Sequence, residues 1–184
     1  MGKNTIKVLI VEDNPSDASI VEEMLGEMGV PLSAFVATDG QIAMRYLERK
    51  DDFTSASRPD LVILDLNLPR VNGFDILKHM KSSTDLRSIP IVILTGSLNP
   101  TDEVRCRSMG VADYCQKPGN MDEYDTTCVC LKRTIVSLGK KFDGGGEVNA
   151  ANMSLFPTAH LTISVRDLGP TWGPFNASPY DHQF

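Results

Sequence analysis

No apolar run in this 184-residue chain approaches the roughly 18 residues of a membrane span. Basic residues are too few for a nucleic-acid stripe. Lys and Arg total 18 against 24 Asp and Glu, for a net charge of -6, which argues against nonspecific nucleic-acid binding. The first residues, Met1-Gly2-Lys3-Asn4-Thr5, lead straight into a strand pattern, so no secretory signal is visible and a cytoplasmic location is expected. Residue 6 is Ile, so Gly2 does not make a myristoylation site. Cysteine is scarce. Cys106, Cys115, Cys128 and Cys130 form no CxxC pair, and reduced, structural thiols are expected. Cys128 and Cys130 stand two apart on a helical stretch and face different ways.

What the chain does have is a hydrophobic fraction of 41%, enough for a sizeable core, and strand and helix patterns in strict alternation. Strands are expected at Ile6–Val11, Ala34–Ala37, Leu61–Leu64, Ile91–Leu94 and Asp113–Cys115. Helices are expected after Asn14-Pro15 with Gly29 as stop, near Gln41–Arg49, Phe74–Met80 and Asp102–Met109, and over Met121–Leu138. The first, third and fourth strands are nearly all apolar, as in a parallel sheet covered by helices on both faces. Lys50–Arg58 is a polar connection. After Lys140-Lys141-Phe142-Asp143 comes Gly144-Gly145-Gly146, a flexible composition, and beyond it only Leu161–Val165 alternates like a strand. Two regions are expected: residues 1–142 as one domain and 143–184 as a Gly- and Pro-containing tail with no recognisable output domain and no helix-turn-helix pattern.

Polar groups recur at the carboxyl ends of the strands. Glu12-Asp13 follows the first, Asp65 the third, Thr95 the fourth and Lys117-Pro118 the fifth. In an open parallel sheet, ligands bind outside those ends, at the point where the strand order reverses. A sheet of order 2-1-3-4-5 puts that point between strands one and three, beside Asp13 and Asp65. Taken singly, each residue has a plainer explanation: Asp13 or Asn14 as a helix cap, Asp65 as a turn former, Lys117 as a surface charge. Independent caps have no reason to include an ammonium at the same edge.

Three carboxylates in one cleft repel each other, and a divalent cation relieves them. Hard oxygen ligands suit Mg²⁺, with Asp13 and Asp65 as direct ligands, a backbone carbonyl near Asn67 as another and Glu12 acting largely through water. Asp65 is then a candidate nucleophile towards phosphorus, with Lys117 and Thr95 for the phosphoryl oxygens.

Four motifs carry a resemblance. Val8–Asn14 (Val-Leu-Ile-Val-Glu-Asp-Asn), Leu64-Asp65-Leu66-Asn67-Leu68-Pro69 with Gly73, Ile93-Leu94-Thr95-Gly96 and Lys117-Pro118 resemble the receiver domain of bacterial response regulators. The match runs from about Ile6 to Leu138. It implies a flavodoxin-like, doubly wound, five-stranded parallel sheet with five helices. It further implies phosphoryl transfer from a sensor histidine kinase to Asp65, with Mg²⁺ held by Glu12, Asp13 and Asp65. Thr95 and Tyr114 take switch roles in this likeness, Pro118 follows a cis peptide bond that orients Lys117, and the face of helix four, strand five and helix five changes on phosphorylation. That face is also the candidate homodimer contact. The longer Lys50–Arg58 connection and Asn14-Pro15-Ser16-Asp17 are similar to small stand-alone regulators paired with phytochromes, so a phytochrome-type kinase is an expected partner.

Other classes fit less well. A phosphatase using a strand-end Asp commonly has an acid two residues later, and Asn67 cannot serve there, so an enzyme is not expected. An FMN binder needs a phosphate loop after strand one, where Glu12-Asp13 repel phosphate. An adaptor independent of phosphorylation has no use for the intact acidic set.

Overall fold

The computed structural model describes residues 5–142. The expected tail, 143–184, with its alternating run Leu161–Val165, lies outside the described residues.

The elements are β1 (Ile6–Val11), α1 (Pro15–Gly26), β2 (Leu32–Ala37), α2 (Gly40–Glu48), β3 (Leu61–Leu64), α3 (Gly73–Ser82), β4 (Ile91–Thr95), α4 (Pro100–Ser108), β5 (Asp113–Gln116) and α5 (Met121–Phe142). The strands form one parallel sheet in the order β2-β1-β3-β4-β5. This is the flavodoxin-like architecture. Two cores result, one on each sheet face. Ile6, Val8 and Ile10 of β1 meet Val21, Met24 and Leu25 of α1 and Leu131 and Ile135 of α5 on one side. Leu9 and Val11 meet Ala43 and Leu47 of α2 and Ile76, Leu77 and Met80 of α3 on the other. Alternate residues of one strand feed opposite cores because strand side chains alternate in direction.

Local chemistry sets the helix starts. Asn14 caps α1, its Oδ1 accepting from Ser16 N–H at 2.9 Å, and Pro15 takes the first helical position, where its missing N–H costs nothing. Asp39 caps α2, Asn72 caps α3 and Asn99 caps α4 in the same manner.

Helix α1 ends at Gly26, before the expected stop, and Gly29 takes the left-handed conformation in the following turn, φ 70°. Helix α5 runs past Leu138 to Phe142. The 50–58 connection is less of a solvated loop than its composition suggests. Asp51–Phe53 forms one 3₁₀ turn, and the Phe53 ring sits edge-on to both Phe35 and Tyr46 at 5.5 Å. Phe35 and Tyr46 stack at 4.6 Å. One aromatic residue in a polar stretch is enough to pin it to the flank of β2 and α2. No helix of the described residues is long and apolar enough to cross a membrane.

Candidate functional site: an acidic strand-end cluster

Three backbone hydrogen bonds extend the sheet by one residue and carry the site. Glu12 N–H donates to Ala37 O at 3.0 Å, Asp65 N–H to Val11 O at 3.0 Å and Lys117 N–H to Thr95 O at 3.0 Å. Each side chain is therefore launched from a paired backbone, not from a free loop. The sheet order puts β1 and β3 side by side, and the carboxylate oxygens of Glu12, Asp13 and Asp65 come within 4.8 Å of one another. Glu12 and Asp65 are buried and Asp13 is exposed.

The Lys117 ammonium lies among the carboxylates. Nζ is 2.6 Å from Asp65 Oδ2, 2.7 Å from Glu12 Oε2 and 2.8 Å from Asp17 Oδ2. Burial by itself lowers an ammonium, but the hydrogen bonds to Asp17, Asp65 and Glu12 outweigh it and hold Lys117 well above the ordinary lysine value. Glu12 moves the other way for an acid. Burial raises it, and the attraction of Lys117 and the Asn14 N–H offsets only part of that rise. The other oxygen of Asp65, Oδ1, accepts from Asn67 N–H at 3.1 Å. Gly73 makes this wrap possible. A Cβ there would stand 2.2 Å from the Asp65 carbonyl oxygen and 2.6 Å from Leu66 Cα, so α3 approaches the Asp65 backbone only without a side chain.

The expected residues do not all meet. Glu12, Asp13, Asp65 and Lys117 converge. Thr95 is fully buried at the end of β4, and its Oγ1 accepts from Ser97 N–H at 3.3 Å. Tyr114 packs against the core cluster on the α3 face, and its hydroxyl is buried with no hydrogen-bond partner among the described residues. Burial accordingly raises the phenol.

Two expectations are corrected. The Lys117–Pro118 peptide is trans, since the described residues hold no cis peptide bond. The trans form is the lower-energy isomer even before proline, and Lys117 reaches all three carboxylates from it. The cysteines are not all reduced thiols. Cys115 of β5 and Cys130 of α5 form a disulfide, leaving Cys106 and Cys128 free and buried. Spacing along the chain hid this pair, because α5 returns over β5 fifteen residues later.

Asp17 was not among the residues singled out from sequence. It lies in the first turn of α1, where an acid ordinarily serves the helix dipole. Its position three residues after the Asn14 cap, on the turn leaving the Glu12-Asp13 loop, was the available signal. With it, three carboxylates hold the Lys117 ammonium, and a fourth, Asp13, lies beside Glu12 and Asp65. That excess of negative charge and the clustering of hard oxygen donors fit a divalent cation at Glu12, Asp13 and Asp65.

Such a fold with such an edge defines the class: a doubly wound domain with a cluster of carboxylates at its switch point. Residues 8–127 match the response regulator receiver domain, and the chain belongs to that family, the receiver-domain response regulators of two-component phosphorelay signalling. It is 34% identical over 116 residues to response regulator Rcp1 of Synechocystis, an alignment covering 63% of this chain and 79% of that protein. The solved Mn²⁺-bound form of Rcp1 aligns at TM-score 0.64 and 32% identity, covering 67% of this chain and 88% of that one. The phosphorylated cyanobacterial phytochrome response regulator RcpA aligns at 0.62 and 31%, covering 78% and 98%.

Proposed function

We propose that this chain accepts a phosphoryl group on Asp65 from the phosphohistidine of a sensor histidine kinase, of phytochrome type, and answers with a changed protein-binding surface. The observation that carries this reading is the buried Asp65 carboxylate, with Lys117 Nζ at 2.6 Å, inside a cluster with Glu12 and Asp13. The relatives support it: one solved neighbour is a Mn²⁺-bound regulator and another a phosphorylated phytochrome regulator.

In the step itself, an Asp65 carboxylate oxygen attacks phosphorus, the P–N bond of the phosphohistidine breaks, and the imidazole keeps the electron pair and takes up a proton. Glu12, Asp13 and Asp65, with the Asn67 carbonyl, would hold Mg²⁺, which when bound shields the charge of the incoming phosphoryl group. Lys117 passes from Asp65 Oδ2 to a phosphoryl oxygen while Glu12 and Asp17 keep it in place. Thr95 offers its hydroxyl to the phosphoryl group and leaves Ser97. Tyr114, whose hydroxyl has no partner to lose, follows the space vacated. The face of α4, β5 and α5 is the output surface and the candidate homodimer contact. Asn67 supplies no acid for hydrolysis, which favours an accumulating phosphoprotein over a turning-over enzyme. Residues 1–142 form the working domain, 143–184 an extension without DNA-binding function, and the setting is cytoplasmic.

Acetyl phosphate with Mg²⁺ should add one phosphoryl group, about 80 Da by intact mass, the HPO₃ gained by a carboxylate nucleophile. Asp65→Asn should add none. Equal labelling of that variant refutes the assignment. In the same assay Asp13→Asn should weaken Mg²⁺ binding and slow labelling, and unchanged Mg²⁺ affinity by titration removes Asp13 from the ligand set.

A further inference from the structure

The bond between Cys115 and Cys130 plays no part in the acidic site. It joins the edge strand of the sheet to the last helix. Among the described residues strand β5 has one strand neighbour, β4, so its outer side is held there by side-chain contacts and this one covalent bond. Both sulfur-bearing residues line an open groove of about 310 Å³, shared with Arg107, Asp113, Thr126 and Arg133, which gives a small reagent access. The Asp113 carboxylate is paired with Arg133 there and stands 3.9 Å from Arg107 Nη1. The remaining thiols are poor competitors. Burial pushes Cys106 up to about 11, and burial also raises Cys128, so both stay protonated at neutral pH.

We propose that Cys115 and Cys130 form a reversible thiol–disulfide site, oxidised by hydrogen peroxide and reopened by a dithiol reductant, that fastens β5 to α5. In a cytoplasmic protein a disulfide is typically transient, made and broken by the redox state around it. One cysteine thiolate attacks the peroxide oxygen, giving a sulfenic acid and, with one proton, water. The second thiol attacks the sulfenic sulfur, forming the S–S bond and releasing a second water. Two sulfurs are oxidised and one peroxide is reduced. A dithiol reverses the bond by exchange through a mixed disulfide. The fastened strand also carries Tyr114 and leads directly into Lys117, so its oxidised form restrains the region proposed above to move. The site depends on that proposal only for its cytoplasmic setting.

The full chain, reduced and then treated with one equivalent of hydrogen peroxide, is denatured, alkylated with N-ethylmaleimide and mapped by mass. Two of the four cysteines, Cys115 and Cys130, should lose the label together, with a mass about 2 Da lower before alkylation, the two hydrogens lost on forming a disulfide. Dithiothreitol should restore both labels. Cys115→Ser should form no intramolecular disulfide, so the loss of about 2 Da, the two hydrogens of disulfide formation, should be absent. Cys130→Ser, at a half-buried helix position, provides the same test if the strand variant folds poorly. Amide exchange over residues 113–135 should be several-fold slower in the oxidised form. Four labels after peroxide, a pairing through Cys106 or Cys128, loss of label that dithiothreitol does not reverse, or equal exchange in both forms each overturns the proposal. No phosphodonor enters the assay, so its outcome is separate from that of the Asp65 test.

Discussion

Lys117 Nζ lies 2.8 Å from Asp17 Oδ2, a hundred residues earlier in the chain. The contact ties the first turn of α1 to the end of β5 across the mouth of the site, where Glu12 and Asp65 grip the same ammonium. The three partners are unequal. Glu12 and Asp65 side chains are almost wholly buried, whereas that of Asp17 is about a third exposed. Water screens the exposed pair and not the buried ones.

The inequality sets an order of stabilities. Asp17→Asn should cost less than about 1 kcal/mol in urea unfolding, as for other exposed pairs. Lys117→Ala should cost about 3 kcal/mol or more without Mg²⁺, because it strands two buried carboxylates. Millimolar Mg²⁺ should recover part of the second loss and little of the first. Equal losses would show that the grip is not concentrated on the buried partners. If Lys117 also serves the switch, amide-exchange changes on phosphorylation across α4, β5 and α5 should shrink in Lys117→Ala.

Glu12 supplies a pH dependence. Its folded-state pKa is raised above the ordinary 4.5 by burial, so the folded protein binds its proton more tightly than the unfolded chain does. The resulting cost is absent below the unfolded value and appears in full as pH rises through the folded one. Glu12→Gln should therefore stabilise the metal-free protein at pH 7, with a gain that shrinks as pH falls towards about 4.5, the ordinary glutamate range, and is gone below it. Urea midpoints at pH 7 and pH 4 measure it, and a variant less stable at pH 7 contradicts it.

Gly73 and Gly96 should respond in opposite ways to the same methyl group. At Gly73 the added Cβ meets the Asp65 carbonyl oxygen at 2.2 Å, backbone that cannot step aside, while at Gly96 nothing lies within 4 Å. Gly73→Ala should lose about 1–3 kcal/mol, the range for overpacking, and should label more slowly with acetyl phosphate because Asp65 is displaced. Gly96→Ala should be close to neutral in stability. Similar melting curves for the two variants would remove the steric account.

Ending the chain at Asp143 should leave labelling of Asp65 and the melting temperature nearly unchanged. Every proposed site residue precedes Gly119, and the buried core of the described residues ends at Leu138. The apolar residues after Gly144-Gly145-Gly146 are scattered, only Leu161–Val165 alternating like a strand, and one isolated strand does not offset the ordering of the segment. Limited proteolysis to a stable fragment supports this. Protection of Leu161–Val165, with a lower melting temperature on truncation, would indicate strand addition to a sheet edge or to another subunit.

Much of the fold was legible because its signals are local. Val8-Leu9-Ile10-Val11 and Leu61–Leu64 are apolar on both sides and so belong to covered strands, and Asn14-Pro15 marks a helix start by backbone chemistry alone. Strand-end placement then brought Glu12, Asp13, Asp65 and Lys117 to one edge, since parallel strands all present their carboxyl ends on the same side. Other relationships were not local. Asp17 reads as a helix-dipole acid, Phe53 as a stray aromatic in a polar loop, and Cys115 and Cys130 as unrelated thiols. Their partners Lys117, the Phe35–Tyr46 stack and each other are set by how helices turn against the sheet. The sequence by itself determined which edge carries the chemistry. Only the tertiary structure decided that a fourth carboxylate and a sulfur bridge flank it, because such contacts depend on helix rotation and strand register, which side-chain packing settles collectively.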